Sequence, residues 1–506
     1  MANPSPVFAR IRSGIQSECG QSFLSRWLFL RLLGVIYLIA FVSLWTQIDG
    51  LIGHNGILPV GDYLGAIREQ LGPERCWWVP TFCWISPSDG FLHFQCAFGV
   101  LLSLLLIAGV APVVDLILLW AIYLSLSTVC REFLGFQWDI LLLETGFLAI
   151  FFAPRQWLPR LSRETPPPLT VLWLFRWLLF RLMFMSGAVK LLSADSMWWN
   201  LTALTVHYET QPLPTWIGWY AHQLPVWFQK TSCAIMFVIE LAVPLLIFCG
   251  RRSRQIACAA FVLLMLLISL TGNYCFFNLL TVALCVLLLD DKLLSRFSPQ
   301  RMFSTPQAMA APTRLQPLRA AGVGILAAII ILVSGTETAA SLLRARSLPR
   351  PLAGLRRWVS PLRTINSYGL FAMMTTTRPE IVIEGSNDGA TWLAYEFKWK
   401  PGDLKHRPAF AAPHQPRLDW QMWFAALGDY RSNPWFANFL VRLLQGSPDV
   451  LALLKKNPFP DRPPRYIRAV LYEYHFTDFD TRRATGEWWR RERKGLYCPE
   501  IALRQN

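Results

Sequence analysis

Through the first two-thirds of this chain apolar residues run in long, almost unbroken blocks. Blocks near the length needed to cross about 30 Å of hydrocarbon fall at 27–46, 91–110, 113–130, 138–153, 169–192, 229–249 and 256–273. Two shorter ones lie at 275–289 and 320–335. Together they predict about nine spans, the eighth the weakest, because 256–273 and 275–289 could equally form a tight re-entrant hairpin. Beyond residue 345 the texture turns polar and proline-rich. There Ile381 and Ile383 alternate with polar neighbours, 385–389 reads Gly-Ser-Asn-Asp-Gly, and Leu393, Tyr395, Phe397 and Trp399 alternate again, which predicts a hairpin. A further alternating strand covers 466–476, and 419–428, 434–445 and 447–456 read as helices, the last two opened by Asn433-Pro434 and Ser447-Pro448. The expected fold class is a polytopic α-helical membrane protein with a C-terminal α+β domain containing a small antiparallel sheet. Its expected parts are an N-terminal cytoplasmic segment, 1–26, a transmembrane helical domain, 27–340, and a soluble domain, 345–506.

Composition strengthens the membrane assignment. Hydrophobic residues make up 54% of the chain and charged residues 16%, against roughly a quarter charged in soluble domains. Arg10, Arg12 and Arg26 precede the first block, which is long for a signal-peptide core and has no small-residue cleavage site after it, so it reads as an uncleaved span. The net charge of +16 is scattered in short clusters between blocks, such as Arg251-Arg252-Ser253-Arg254 and 155–163, with no continuous basic stripe. That pattern fits the positive-inside rule and argues against nucleic-acid binding.

With a cytoplasmic N-terminus, Arg155, Arg160, Arg163, Arg251, Arg252, Arg254 and the basic run 292–319 fall inside. The Trp-rich loops 47–90 and 193–228 fall outside, and nine spans put the C-terminal domain outside too. Opposing this are Arg344, Arg346, Arg350, Arg356 and Arg357, which follow the last block directly and favour the cytoplasm. Asn200-Leu-Thr202, on the outer side, has the form of a glycosylation acceptor. The eleven cysteines contain no C-x-x-C pair or zinc spacing, so no metal is expected. Only Cys76 and Cys83 share a polar loop, where a disulfide and two free thiols are both compatible with the spacing.

Charge inside a span costs roughly 2.5 kcal/mol or more at its centre, so each such residue is a functional candidate. They are Arg31, Asp139, Glu144, Arg176, Arg181, Lys190 and Glu240. Arg31 and Asp139 lie near block ends and can snorkel. Glu144, Arg176 and Arg181 are either a mutually neutralising network or catalytic groups, and with Glu240 in place of Arg181 they could line a transport path. Lys190 closes the fifth block, followed by Asp195 and Trp198-Trp199. It is a snorkelling anchor or a desolvated amine acting as base toward a membrane-dissolved substrate, with His207, Glu209 and His222 as nearby partners. No Gly-x-Ser-x-Gly elbow, P-loop, H-E-x-x-H or dinucleotide fingerprint occurs, so no cofactor is expected. His406, His414, Asp419 and His475 lack a nucleophile arrangement and default to structural roles.

Long strings carry a family resemblance: Ile365-Asn-Ser-Tyr-Gly-Leu-Phe371, Met374-Thr-Thr-Thr-Arg-Pro-Glu380, Ile383-Glu-Gly385, Lys400-Pro-Gly402, 412–423 (Ala-Pro-His-Gln-Pro-Arg-Leu-Asp-Trp-Gln-Met-Trp), Asn457-Pro-Phe-Pro460 and Tyr466-Ile-Arg468. Through these the chain resembles the lipase maturation factor family, and the likeness extends over the membrane part. The resemblance implies a polytopic membrane protein, of the endoplasmic reticulum membrane if eukaryotic and the cytoplasmic membrane if bacterial, with its C-terminal domain lumenal or periplasmic. It further implies a folding or maturation factor whose partners are a client lipase or other secreted protein and the bilayer. On that reading Arg378, His414, Arg417, Trp420 and Trp423 are the candidate client-binding surface, although Trp420 and Trp423 at helical spacing are more often core residues. Ser186-Gly-Ala-Val-Lys190 followed by Asp195 is also faintly similar to vitamin K-dependent carboxylase-like proteins. That likeness implies an alternative, a membrane enzyme using Lys190 as base on a quinone or lipid.

Overall fold

A computed structural model describes residues 22–159, 164–297, 316–345 and 349–503. The N-terminal segment through residue 21, Arg160, Arg163, Arg346 and most of the basic run 292–319 lie outside the described residues.

Every apolar block folds as a helix. Seven are long and apolar enough to cross a membrane: α1 (Phe23–Trp45), α2 (Asp89–Ala108), α3 (Pro112–Val129), α5 (Leu169–Leu192), α6 (Val226–Phe248, with a wide turn inside it), α7 (Arg251–Thr271) and α9 (Gln316–Leu342). Between them sit α4 (Gln137–Phe152) and α8 (Phe277–Val286), of 16 and 10 residues. At 1.5 Å per residue these reach only about 24 and 15 Å, short of the hydrocarbon thickness. The nine expected spans thus become seven full-length helices and two short ones, with α8 folded back on α7. Local chemistry sets the boundaries. The Ser88 side chain caps the first turn of α2, Gly109 closes it in the left-handed region at φ 82°, and Pro112 opens α3 where a missing N–H costs nothing.

Behind α9, the helix α10 (Arg350–Val359) leads into the C-terminal half. Its main sheet is antiparallel, in the order β2 (Leu393–Ala394), β1 (Pro379–Ser386), β5 (Tyr466–Phe476), β6 (Trp489–Ile501). The predicted hairpin pairs Glu384 with Ala394 and Gly385 with Leu393. Its second arm then leaves β1, and β3 (Glu396–Phe397) pairs with β4 (Leu454–Lys456). The predicted helix at 447–456 is corrected accordingly: one turn at Pro448–Leu451 runs into that strand. Helices α11 (Arg417–Ala426) and α12 (Pro434–Leu444) lie where expected.

One hydrophobic core runs without a break from α1, α3 and α4 into the sheet and α12. Phe133 meets Trp435 edge-on at 5.9 Å, and Trp138 meets Trp420 at 4.8 Å. The short helix Ile48–Ile52 approaches Pro448–Leu451 so closely that a Cβ on Gly50 would collide with the Asp449 carbonyl and Leu453. The polar half is therefore seated on the helical half over a wide contact.

Candidate functional site

Lys190 finds its partner through a local irregularity in α6. After Phe237 the helix widens to a π turn over Val238–Ala242 and tightens to a 3-10 turn over Val243–Phe248. Pro244 has no N–H to return to the carbonyl four residues earlier, that of Glu240, which favours the irregular turn there. On α5, Gly187 leaves room for Leu241 and the Glu240 Cβ, so the two helices approach. One turn further on, Lys190 Nζ donates to Glu240 Oε2 at 2.6 Å and Oε1 at 2.9 Å, and lies 5.3 Å from the centre of the Trp198 ring. Both charges are buried. An amine holding a carboxylate this way is a satisfied ion pair and presents no free lone pair.

His207 lines the same cavity as this pair. Gln211 Nε2 donates to the carbonyls of Tyr208 and Thr271, which turns its Oε1 toward the Tyr274 hydroxyl, the donor at 2.9 Å. Tyr274 has only that hydrogen, so it accepts from His207 Nε2 at 3.2 Å and the imidazole carries its proton on Nε2. Burial, helped by Lys190, lowers the pKa of His207 to about 4. The other two expected partners lie elsewhere. Glu209 faces His222 at 3.9 Å and His475 at 3.6 Å, and accepts from the Phe476 N–H. Glu240 was legible as a lone acid in an apolar block, and matching it to the lone base Lys190 was the signal to use.

The cavity has a volume of about 400 Å³. Helices α5, α6 and α7 supply most of its lining, with Leu, Met and Phe side chains prominent, the short helix Leu204–Thr210 adds His207 and Tyr208, and Phe371 closes one side. Leu224, Phe228 and Leu267 line it and are also exposed on the outer apolar surface, so they form its mouth.

Three further buried charge groups join the two halves. Asp139, expected to snorkel, is fully buried: Arg417 donates to both its oxygens at 2.7 and 3.0 Å, and Tyr123 donates at 2.5 Å. Glu144 pairs with Arg181 and accepts from the Asn366 N–H (3.0 Å), Asn366 Nδ2 (3.1 Å) and the Tyr368 hydroxyl (2.7 Å). Arg176, expected in that group, lies over the Trp173 ring at 4.9 Å. Arg378 donates to the carbonyls of Glu209, Gln211 and Pro212 and to Glu380, which also pairs with Lys400.

The surface placement of the client-binding candidates is corrected by these contacts. Arg378 and Arg417 are 0% exposed, Trp420 3% and Trp423 7%. Trp423 donates its ring N–H to the Thr210 carbonyl. His414 is half-buried, with Nδ1 2.9 Å from the Ser43 hydroxyl of α1. Polar and aromatic side chains are used here to fasten two structural halves. Cys76 and Cys83 are both free thiols.

The lipase maturation factor transmembrane domain matches residues 24–296, more than half of the chain. The chain belongs to the lipase maturation factor family. The C-terminal domain of the same family matches residues 364–499. Lipase maturation factor 2 of Gallus gallus is 39% identical, covering 94% of this chain and 81% of its own length. The Homo sapiens protein of that name is 38% identical, covering 95% and 83%. Lipase maturation factor 1 of Mus musculus is 36% identical, covering 96% and 88%. No solved structure matches the chain. In this family member the buried charges cross from one family domain to the other: Asp139 and Glu144 lie in the first, Arg417, Asn366 and Tyr368 in the second.

His414 yields a pH prediction. Burial, then Arg417 and Lys398, lower its pKa from 6.5 to about 4. The folded state therefore resists a proton that the unfolded state accepts. The contribution of His414 to stability is complete above pH 6.5 and is lost as pH falls toward 4, with His207 acting in the same sense. The melting temperature in detergent should fall between pH 7 and pH 5. His414→Asn, which keeps an acceptor for Ser43, should make that fall shallower, and an unchanged slope would remove His414 from the account.

Proposed function

We propose that this protein is a membrane-bound maturation factor that assists the folding, assembly or secretion of client proteins, secreted lipases first among them. The observation that carries this reading is the length of the match: proteins named lipase maturation factor 1 and 2 align with 94–96% of the chain, through both halves. The C-terminal half faces the lumen of the endoplasmic reticulum in a eukaryote, or the periplasm in a bacterium. Three of the juxtamembrane arginines that oppose this have partners in the helical half. Arg344 bonds the Leu192 carbonyl, Arg356 pairs with Glu337, and Arg357 lies over Trp78. All three stay exposed, so these contacts offset only part of their preference for the cytoplasm.

With the earlier candidates buried, the client would meet the outer strand of the sheet. β6 is one of the two edge strands of that sheet, the longer one, and Arg490, Arg493 and Leu496 on it are exposed. An open edge offers unpaired N–H and C=O groups to an extended segment, and the cations favour an acidic one. The carboxylase-like alternative has less support, because Lys190 is committed to Glu240.

The test is to supply the protein, together with a secreted lipase, to cells lacking their own maturation factor. Active lipase in the medium should rise severalfold, and the pair Arg490→Glu and Arg493→Glu should remove most of that gain at equal protein level. If the wild-type protein leaves active lipase unchanged, the maturation reading fails.

A further inference from the structure

The cavity beside Lys190 is larger than packing requires, and nothing among the described residues fills it. Its volume of about 400 Å³ falls within the range of about 300–1,000 Å³ typical of small-molecule sites. Its mouth is on the hydrocarbon side: Leu267 is 50% exposed in line with Leu263, Leu266 and Leu270 on the outer face of α7, and Phe228 of α6 stands opposite. A ligand reaching this mouth comes sideways from the bilayer. The cavity also sits toward one leaflet, because Lys190 is two residues from the end of α5 and Leu370 and Phe371 of the C-terminal half complete the wall. It belongs to the leaflet next to the C-terminal half.

The lining also constrains the head of the ligand. Lys190 and Glu240 neutralise each other, and His207 is held uncharged. An ionised head would bring one uncompensated charge into a low-dielectric space, at a cost of several kcal/mol. Two hydroxyls on the lining, those of Tyr208 and Ser232, have no hydrogen-bond partner among the described residues. They are donors waiting for an uncharged acceptor. We propose that this cavity binds a single uncharged lipid, one hydrocarbon chain bearing an ester or hydroxyl head of the monoacylglycerol kind, drawn from the leaflet next to the C-terminal half. The site goes beyond the maturation reading and stands without it.

The full chain, reconstituted in phosphatidylcholine vesicles, should be labelled by a monoacylglycerol carrying a photoreactive diazirine in its chain, followed by peptide mapping. Label should concentrate on Met236 and 264–268. Excess monooleoylglycerol should compete, while equal oleate or dioleoylphosphatidylcholine should not. Leu267→Trp, which plugs a mouth already open to lipid, should reduce cavity labelling about fourfold or more, the effect of keeping about one methylene of the ligand out of the site. Leu267→Ala should keep it and so control for folding. Tyr208→Phe should weaken competition by monooleoylglycerol by about fivefold, as one lost hydrogen bond would. Label spread evenly along Leu263, Leu266 and Leu270 and indifferent to Leu267→Trp means annular lipid only and overturns the site. Equal competition by oleate overturns the uncharged head.

Discussion

Replacing Arg417 with methionine is expected to destabilise the protein by about 3–5 kcal/mol, the usual consequence of removing one partner from a fully buried ion pair. Arg417 and Asp139 have no solvent exposure, and the guanidinium also donates to the Phe133 carbonyl. Without it, Asp139 keeps the Tyr123 hydroxyl and the field of the Arg363 guanidinium. The steady-state level in cells should drop severalfold, and the melting temperature in detergent should fall with it. Adding Asp139→Leu and Tyr123→Phe should recover much of the loss, because an apolar replacement of a whole buried pair is often near neutral. A single Arg417→Met variant that melts like the wild type would show that the pair contributes little.

The second large effect is expected at Glu144. Its carboxylate receives Arg181, both nitrogens of Asn366 and the Tyr368 hydroxyl. Glu144→Leu would strand the buried Arg181 and release 364–371 from α4, again at a cost of about 3–5 kcal/mol. Two readouts separate local release from global unfolding. Protease should cut within 364–371 at concentrations that spare the wild type, while α1–α3 stay protected. Glu144→Gln should fall between the two, since an amide oxygen still accepts from Asn366 and Tyr368 but does not balance Arg181. Equal protease resistance of Glu144→Leu and wild type would rule out a fastening role for this carboxylate.

Much of the architecture was legible because a bilayer imposes its requirement on contiguous residues. Nine apolar blocks are nine helices for that reason, and the hairpin at 379–394 announced itself by its turn. Partnership is a different kind of information. Arg417 and Asp139 are separated by 278 positions, Asn366 and Glu144 by 222, and nothing local to either residue names the other. The helical spacing of Trp420 and Trp423 already pointed to a core, whereas Arg378 and Arg417 read as surface groups because arginine is mostly exposed and burial is decided by what packs against it. β6 escaped notice because Arg490–Lys494 is exposed on both faces of an edge strand, which erases the alternation that reveals a half-buried one. The cavity was hidden for a similar reason: its lining comes from helices far apart in the chain, and of the residues singled out in the sequence Lys190, His207 and Glu240 marked its place.

The long separation between these partners also governs how the protein is made. Asp139 and Glu144 leave the ribosome before Asn366, Tyr368 and Arg417 exist. With Arg417 trailing Asp139 by 278 residues, synthesis at about 5–20 residues per second leaves Asp139 waiting on the order of tens of seconds. Through that interval the inserted helices hold an acid with no base, and the assembly can be completed only when the chain is nearly finished. A nascent or truncated chain therefore carries its own mark of incompleteness inside the membrane, available to whatever machinery decides which newborn membrane proteins are kept.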